Sequence, residues 1–437
     1  MKKSALLCAA LVAAGFNLVS CGGGTGVAKP PSGLTTRIFA SQSVSGSTSA
    51  AGVVIVNGEN DTIARASVIS AGTSPGLMAI SSDRTTVLVY DSISNAVQVL
   101  DSKSEKSAGS IQLPGPINSP VTSMVALDTG FAYIAVPAAP VNGVSGAGAL
   151  VVLNLQTGGT TATISVPNAQ TVVASPDGTH LLVFSNDSDL ITVVSPLLVN
   201  TGVTVTTTVA ACTGCRPAYA VFSSDSSTAY ILNCGAECGG SQAGIGTPAS
   251  VQTLNMAALD LGTSVPVDGA TVAFLSGSTL YVAGNSPTNS SCSGETTAAT
   301  TCGRLNTVDL GSLSVTNRVV ITDGYHDRID ISANGQLFIG SHTCTTIGNV
   351  NNQQGEVRGC LSIFNTTNGE VVIPPDNGDV TGLQSLTSRY VEYVAEGGNL
   401  RVYDTTQDKL IANNDFITNG TITITGRIID IKAVDFF

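Results

Sequence analysis

A short turn returns along this chain at a nearly fixed interval, and that interval constrains the fold more than any other feature. Its clearest copy is Ser175-Pro176-Asp177-Gly178, with the apolar run Thr171-Val172-Val173-Ala174 before it and His180-Leu181-Leu182-Val183-Phe184 after it. Proline presets φ in such a turn and glycine accepts a positive φ, so the segment reads as a hairpin. Looser copies sit at Asp83, Asp128, Asp225, Gly277, Asn334 and Ser388, each between two alternating apolar runs. The steps are roughly 45 to 57 residues, the span of one four-stranded propeller blade. One further step of about 47 residues lands on Asp435.

Composition bears on what such a repeat can build. The 437 residues include 47 glycines, 43% are apolar and only 11% are charged. That mixture suits many short strands and turns and argues against helices or disorder. The formal net charge of −12, with no Lys/Arg cluster, excludes nucleic acid as a partner. It also disfavours docking of the protein surface on anionic lipid.

Taken in order, residues 36–40, 52–57 and 66–69 supply three strands of a first unit whose innermost strand is missing. Later units open near Leu77, Ser123, Thr171, Ala218, Thr271 and Arg328. An eighth begins at Leu383, continues through 390–395 and 400–403, and has a poorly defined outer strand before Gly420. Residues 426–434 then have the length and alternation of an innermost strand, with no second strand behind them. Giving that strand to the first unit closes a ring and removes both free edges. The expected fold is therefore all-β: a β-propeller of eight four-stranded blades over residues 37–437, one blade composite. Seven blades is the alternative, should the irregular stretch 376–420 be an insertion. The segments Ser175-Pro176-Asp177-Gly178-Thr179-His180-Leu181 and Leu280-Tyr281-Val282-Ala283-Gly284-Asn285 resemble the YVTN-type β-propeller family. The resemblance covers most of residues 37–437 and implies the fold without fixing an activity.

The N-terminus reads as an address. Lys2 and Lys3 precede an apolar run over residues 5–14, followed by Leu18-Val19-Ser20-Cys21. These are the parts of an export signal, too short to span a membrane as a mature helix. Leu-Val-Ser-Cys at this distance resembles the lipobox of bacterial lipoproteins, which implies cleavage after Ser20 and lipid on Cys21. An ordinary signal peptide with an incidental cysteine is the other reading. Residues 1–20 are then the signal and 21–36 a flexible tether containing Gly22-Gly23-Gly24 and Pro30-Pro31. Several acyl chains would hold the protein stably at a membrane, where one would not. Gly22, in place of the aspartate that retains such lipoproteins at the inner membrane, implies the outer membrane.

In a blade of this kind the first-to-second and third-to-fourth turns share one face of the ring. Here the first-to-second turns stay short, at 81–85, 128–130, 223–228, 276–278 and 333–335. Length accumulates in the second-to-third loops on the other face, at 137–148, 234–250, 284–304 and 341–359. A scaffold with one plain and one elaborated face is expected to bind on the elaborated one, although loop growth is also tolerated neutrally. Cysteines fall in the same places. Cys8 leaves with the signal and Cys21 takes lipid, so eight remain: Cys212, Cys215, Cys234, Cys238, Cys292, Cys302, Cys344 and Cys360. An even number in an exported protein reads as disulfides. Cys292 with Cys302 and Cys344 with Cys360 would each staple one loop. Cys215 with Cys234 and Cys212 with Cys238 would rung the hairpin between them. Four of these also read Cys-x2-Cys-x18-Cys-x3-Cys, close to a zinc-ribbon spacing.

Candidate chemistry is sparse. Of three histidines, His180 sits on a short turn, whereas His326 and His342 belong to one blade near the channel mouth. With Tyr325 and Asp327 they could bind a ligand or serve as acid and base, or simply bond loop backbone. Arg216 opens the fifth blade at the same rim and could meet an anion. No Walker loop or His-Glu-x-x-His is present, and no catalytic residue, metal ligand or cofactor is assigned. The sequence reads as a lipid-anchored binding or scaffold module at the cell envelope, whose partner is an envelope protein or a small molecule. The alternative is a propeller enzyme of lactonase or quinoprotein dehydrogenase type working at the channel mouth.

Overall fold

The computed structural model describes residues 30–435 except 45–50, 65–67, 117–120, 186, 202–205, 239–245, 286–302, 345–346, 349–356, 375–377 and 413–416. Its strands form eight antiparallel blades in a ring. Blade 2 sets the pattern, with Pro75–Ile80 innermost, then Thr86–Asp91, Ala96–Asp101 and Lys106–Gln112 outward in chain order. Blades 3 to 7 repeat it, with innermost strands Ser123–Leu127, Ala169–Ala174, Pro217–Phe222, Val272–Ser276 and Tyr325–Ile331. Blade 8 uses Val380–Ser385, Val391–Glu396 and Asn399–Asp404, and its outer edge is split between Lys409–Leu410 and Thr421–Ile422. The stretch 376–420 is thus a blade and not an insertion, which makes the count eight.

The ring closes at blade 1. Arg427–Ala433 pairs with Arg37–Ser43, placing Ile38 opposite Ala433 and Ala40 opposite Ile431. Outward of these come Gly52–Asn57 and an edge in two pieces, Thr62–Ile63 and Ile69–Ser70. A buried arginine locks the seam. Arg37 spans Asp435 with two nitrogens (2.9 and 2.6 Å), reaches Glu105 at 3.0 Å and donates to the Ser102 carbonyl. Glu105 in turn accepts from the Ser32 amide at 2.7 Å and the Ser32 hydroxyl at 2.5 Å. Residues 30–36, expected as the end of a tether, therefore begin against blade 2 on its short-turn face.

Each neighbouring pair of blades buries its own apolar cluster, as alternating strand faces require. Phe184 of blade 4 meets Phe222 and Ile231 of blade 5, and Tyr393 of blade 8 packs with Ile38 and Ile431 of blade 1. The repeated turn has a common construction. The Ser175 hydroxyl donates to Asp177 Oδ1 at 2.6 Å, the Thr179 amide does so at 3.1 Å, and Gly178 takes φ +68°. Asp83 and Asp225 are held in the same way by Ser81 with Thr85 and by Ser223 with Ser227. The turns also link blades, since the Asp177 amide donates to Ser226 Oγ at 3.1 Å and the Asp83 amide to Asp128 at 3.0 Å.

Candidate functional site

The mouth of the channel on the long-loop face is built around a bulge in blade 7, of a kind that blades 4, 5 and 8 also carry. Tyr325 pairs with His342 and His326 with Ser341, but the next pair is Arg328 with Gly340. One residue, Asp327, is thus extra, and a bulge of this kind re-aims side chains. It sends His326 inward and leaves Tyr325, Asp327 and Arg328 facing the mouth beside His342. These four, with Thr122, Gln170 and Thr171 from blades 3 and 4, line a cavity of about 600 Å³.

Asp327 is the hub. Its Oδ2 lies 3.0 Å from the Arg328 guanidinium and 3.6 Å from His342 Nδ1, the second being ion-pair reach but long for a hydrogen bond. Its Oδ1 has no hydrogen-bond partner among the described residues. Asp327 holds the His342 pKa above the ordinary imidazole value, against partial desolvation. The Tyr325 and His342 rings sit 5.2 Å apart, tilted by 51°. Arg328 is fixed from the far side, its Nε donating at 2.7 Å to the Thr381 carbonyl of blade 8. The site therefore presents an acid, a base, a cation and a phenol, all partly open to solvent.

Two expected rim residues are elsewhere. His326 is fully buried, its Nε2 donating to the Thr322 carbonyl at 2.8 Å while its own carbonyl accepts from Thr271 of blade 6. Burial pushes its pKa down to about 4, so it is a neutral structural group. Arg216 is 4% exposed and braces the loop behind it, donating to the carbonyls of Gly235 and Cys238 and pairing with Asp187 at 3.8 Å. The bulge explains the first displacement, because one inserted residue reverses which side chain points in. The second follows from Asp189, which accepts from the Gly214 and Arg216 amides and turns the chain inward.

The cysteines also differ from expectation. Cys212 pairs with Cys215 and Cys234 with Cys238, each closing its own short loop, whereas the expected rungs Cys215–Cys234 and Cys212–Cys238 are not formed. The Cys215 amide donates to the Cys212 carbonyl at 3.0 Å, a tight turn that brings their Cα atoms to 5.2 Å, normal disulfide range. Cys344 pairs with Cys360 as expected, while Cys292 and Cys302 lie outside the described residues. Inside the second short loop, Glu237 accepts from the Ala270 amide at 2.9 Å and from the Asn285 amide, tying blade 5 to blade 6. These loops brace the rim and do not line the cavity. His180 stays on its short turn, bonded to Thr179.

Sequence reasoning missed Arg328, Gln170 and Tyr219, a third aromatic wall of the cavity. Their signal is positional. Each lies one to three residues into an innermost strand, measured from the long-loop face.

No family model matches this chain, and no curated protein matches its sequence. Solved structures share its architecture. Dihydro-heme d1 dehydrogenase NirN aligns with a TM-score of 0.61 at 13% identity, over 94% of this chain and 78% of that one. The periplasmic gluconolactonase PpgL of Pseudomonas aeruginosa aligns at 0.52 and 15%, over 77% and 94%. The β-propeller domain of Cps50 (Swd1) from Myceliophteria thermophila aligns at 0.51 and 9%, over 76% and 96%. At such identities the likeness is one of architecture alone: the chain is a β-propeller.

Proposed function

We propose that this chain is a binding propeller of the cell envelope, and that its ligand is a small polar molecule held at the channel mouth. One observation carries the reading: the cavity of about 600 Å³ in which Asp327, Arg328, His342 and Tyr325 converge. That volume lies within the usual range of small-molecule sites, and a few convergent polar groups are what fixes a ligand's orientation. The envelope location rests on the export signal and on Cys21 as the lipid-bearing residue, all outside the described residues. If lipid is carried there, the pinned Ser32 leaves at most about 40 Å of free chain back to Cys21. It also starts that chain from the short-turn face, so the mouth would look away from the membrane.

A second reading is favoured by the Asp327–His342 pair. A carboxylate that raises an imidazole's pKa beside an open cavity can position a general base for hydrolysis, and a gluconolactonase is among the architectural neighbours. The test is a panel of sugars, hydroxy acids and aldonolactones, read by thermal shift and calorimetry on the protein and on Asp327→Asn. Stabilisation by a panel member that the variant loses supports the site, and lactone consumption lost in the variant supports the enzyme. A panel with no effect on the native protein overturns both.

A further inference from the structure

We infer that the channel takes an elongated amphiphile, its polar end at the mouth and an alkyl tail in a second cavity beneath. The inference rests on the mouth being the ligand site. A cavity of about 780 Å³ opens on the short-turn face, walled by Val173 of blade 4, Val221 of blade 5, and Phe274, Leu275 and Leu310 of blade 6. None of the side chains that line it is charged. The mouth above contains Asp327, Arg328 and His342.

Tyr219 joins the two. It lines both cavities, whereas Ala218 belongs to the upper one alone and Val221 to the lower one alone. Blade 5's innermost strand thus runs past both cavities, from opposite the charged groups of blade 7 at the mouth to Val221 at the lower end. Val173, Val221, Phe274 and Leu275 are half-buried, so each keeps apolar surface facing water when the cavity is empty. An alkyl tail covering that surface gains affinity with every methylene it buries. A wholly polar ligand would leave the lower cavity unused, and a wholly apolar one would leave the charged mouth desolvated without partners. An amphiphile meets both demands.

The experiment is calorimetry of the full chain with n-alkyl β-glucosides of one to eight carbons, each below its micellar concentration. A neutral polyol head offers donors to Asp327 and acceptors to Arg328. The expected result is an affinity that rises about fourfold per methylene once the tail passes Tyr219. Phe274→Ala and, independently, Val173→Asn should flatten that rise without changing the affinity of the methyl glucoside. Circular dichroism confirms that each variant is folded. Equal affinity for short and long members overturns the amphiphile and leaves the mouth reading intact. A rise that persists unchanged in both variants marks association outside the channel and overturns it as well. If no glucoside binds while a member of the polar panel does, the amphiphile again falls alone; if neither binds, both fall.

Discussion

The seam that closes the ring and the mouth of its channel both concentrate charge, and they use it in opposite ways. At the seam, the Arg37 and Glu105 side chains are 5% and 3% exposed, and the arginine's groups are committed to Asp435, Glu105 and Ser102. Arg389 is 27% exposed but grips the buried Asp61 with two nitrogens at 2.8 and 2.9 Å, and the Tyr393 hydroxyl donates to the same carboxylate. At the mouth, Asp327, Arg328 and His342 are 29%, 28% and 40% exposed, and the pair that matters most is 3.6 Å long. Buried ions with every position filled can only hold blades together. Partly open ions held by a long contact are what a ligand can complete. Charge count therefore does not locate a site in this protein, whereas open and loosely held charge does.

That contrast can be broken most easily at Arg37. Arg37→Ala strands Glu105 and Asp435 at the seam, and a loss of about 3–5 kcal/mol is expected in denaturant unfolding. A loss no larger than that of a surface substitution would mean that strand pairing alone closes the ring.

The second test concerns Glu392, which is fully buried against Asp330 where blades 7 and 8 meet. Desolvation first, and then Asp330, raise its pKa well above the ordinary 4.5. Asp330 is itself raised by burial, although it accepts from the Ser385 and Ile331 amides, with Lys432 as the cation nearby. The folded state therefore keeps a proton that the unfolded chain releases. The contribution of Glu392 to stability is greatest below pH 4.5 and is lost as pH rises towards its folded pKa, at about 1.4 kcal/mol per pH unit. Glu392→Gln should remove that slope and make the variant relatively more stable with rising pH. Parallel unfolding curves for the two proteins between pH 5 and 8 would sink this account.

The smallest effect is expected at the mouth. Asp327→Asn should cost under about 1 kcal/mol, because the pair is half exposed and screened. The raised His342 pKa means that the His342 share of this cost is present at acid pH and is lost as pH climbs through it, while the share from Arg328 at 3.0 Å remains. An NMR titration should show the His342 pKa falling in the variant, while His326, whose pKa Asp327 holds up against burial, should fall further and stay neutral. A stability loss comparable to that of Arg37→Ala would make the mouth another structural seam.

Much of the fold was legible because it repeats. Alternation of period two and a turn whose residue types carry their own geometry recur in blade after blade, so errors in one copy are corrected by the others. Even closure could be read, since an innermost strand at residues 426–434 had no partner except the incomplete first unit. The site was less legible because it depends on a one-residue bulge near the start of the innermost strand, present in blades 4, 5, 7 and 8, which strand alternation does not announce. His326 and His342 look equivalent in sequence, but the extra residue at Asp327 turns one into the core and leaves the other at the mouth. Cys212 and Cys215 looked like halves of two cross-hairpin rungs until the turn between them set their Cα atoms at 5.2 Å.

The architecture is written in the chain, because strand period and turn chemistry are local and each copy encodes them separately. Which charged groups are used up and which remain open is settled by the closed ring. That depends on contacts between residues as distant as Arg37 and Asp435, or Asp327 and His342. Burial and partnership are properties of the closed ring, and no local pattern in the chain states them.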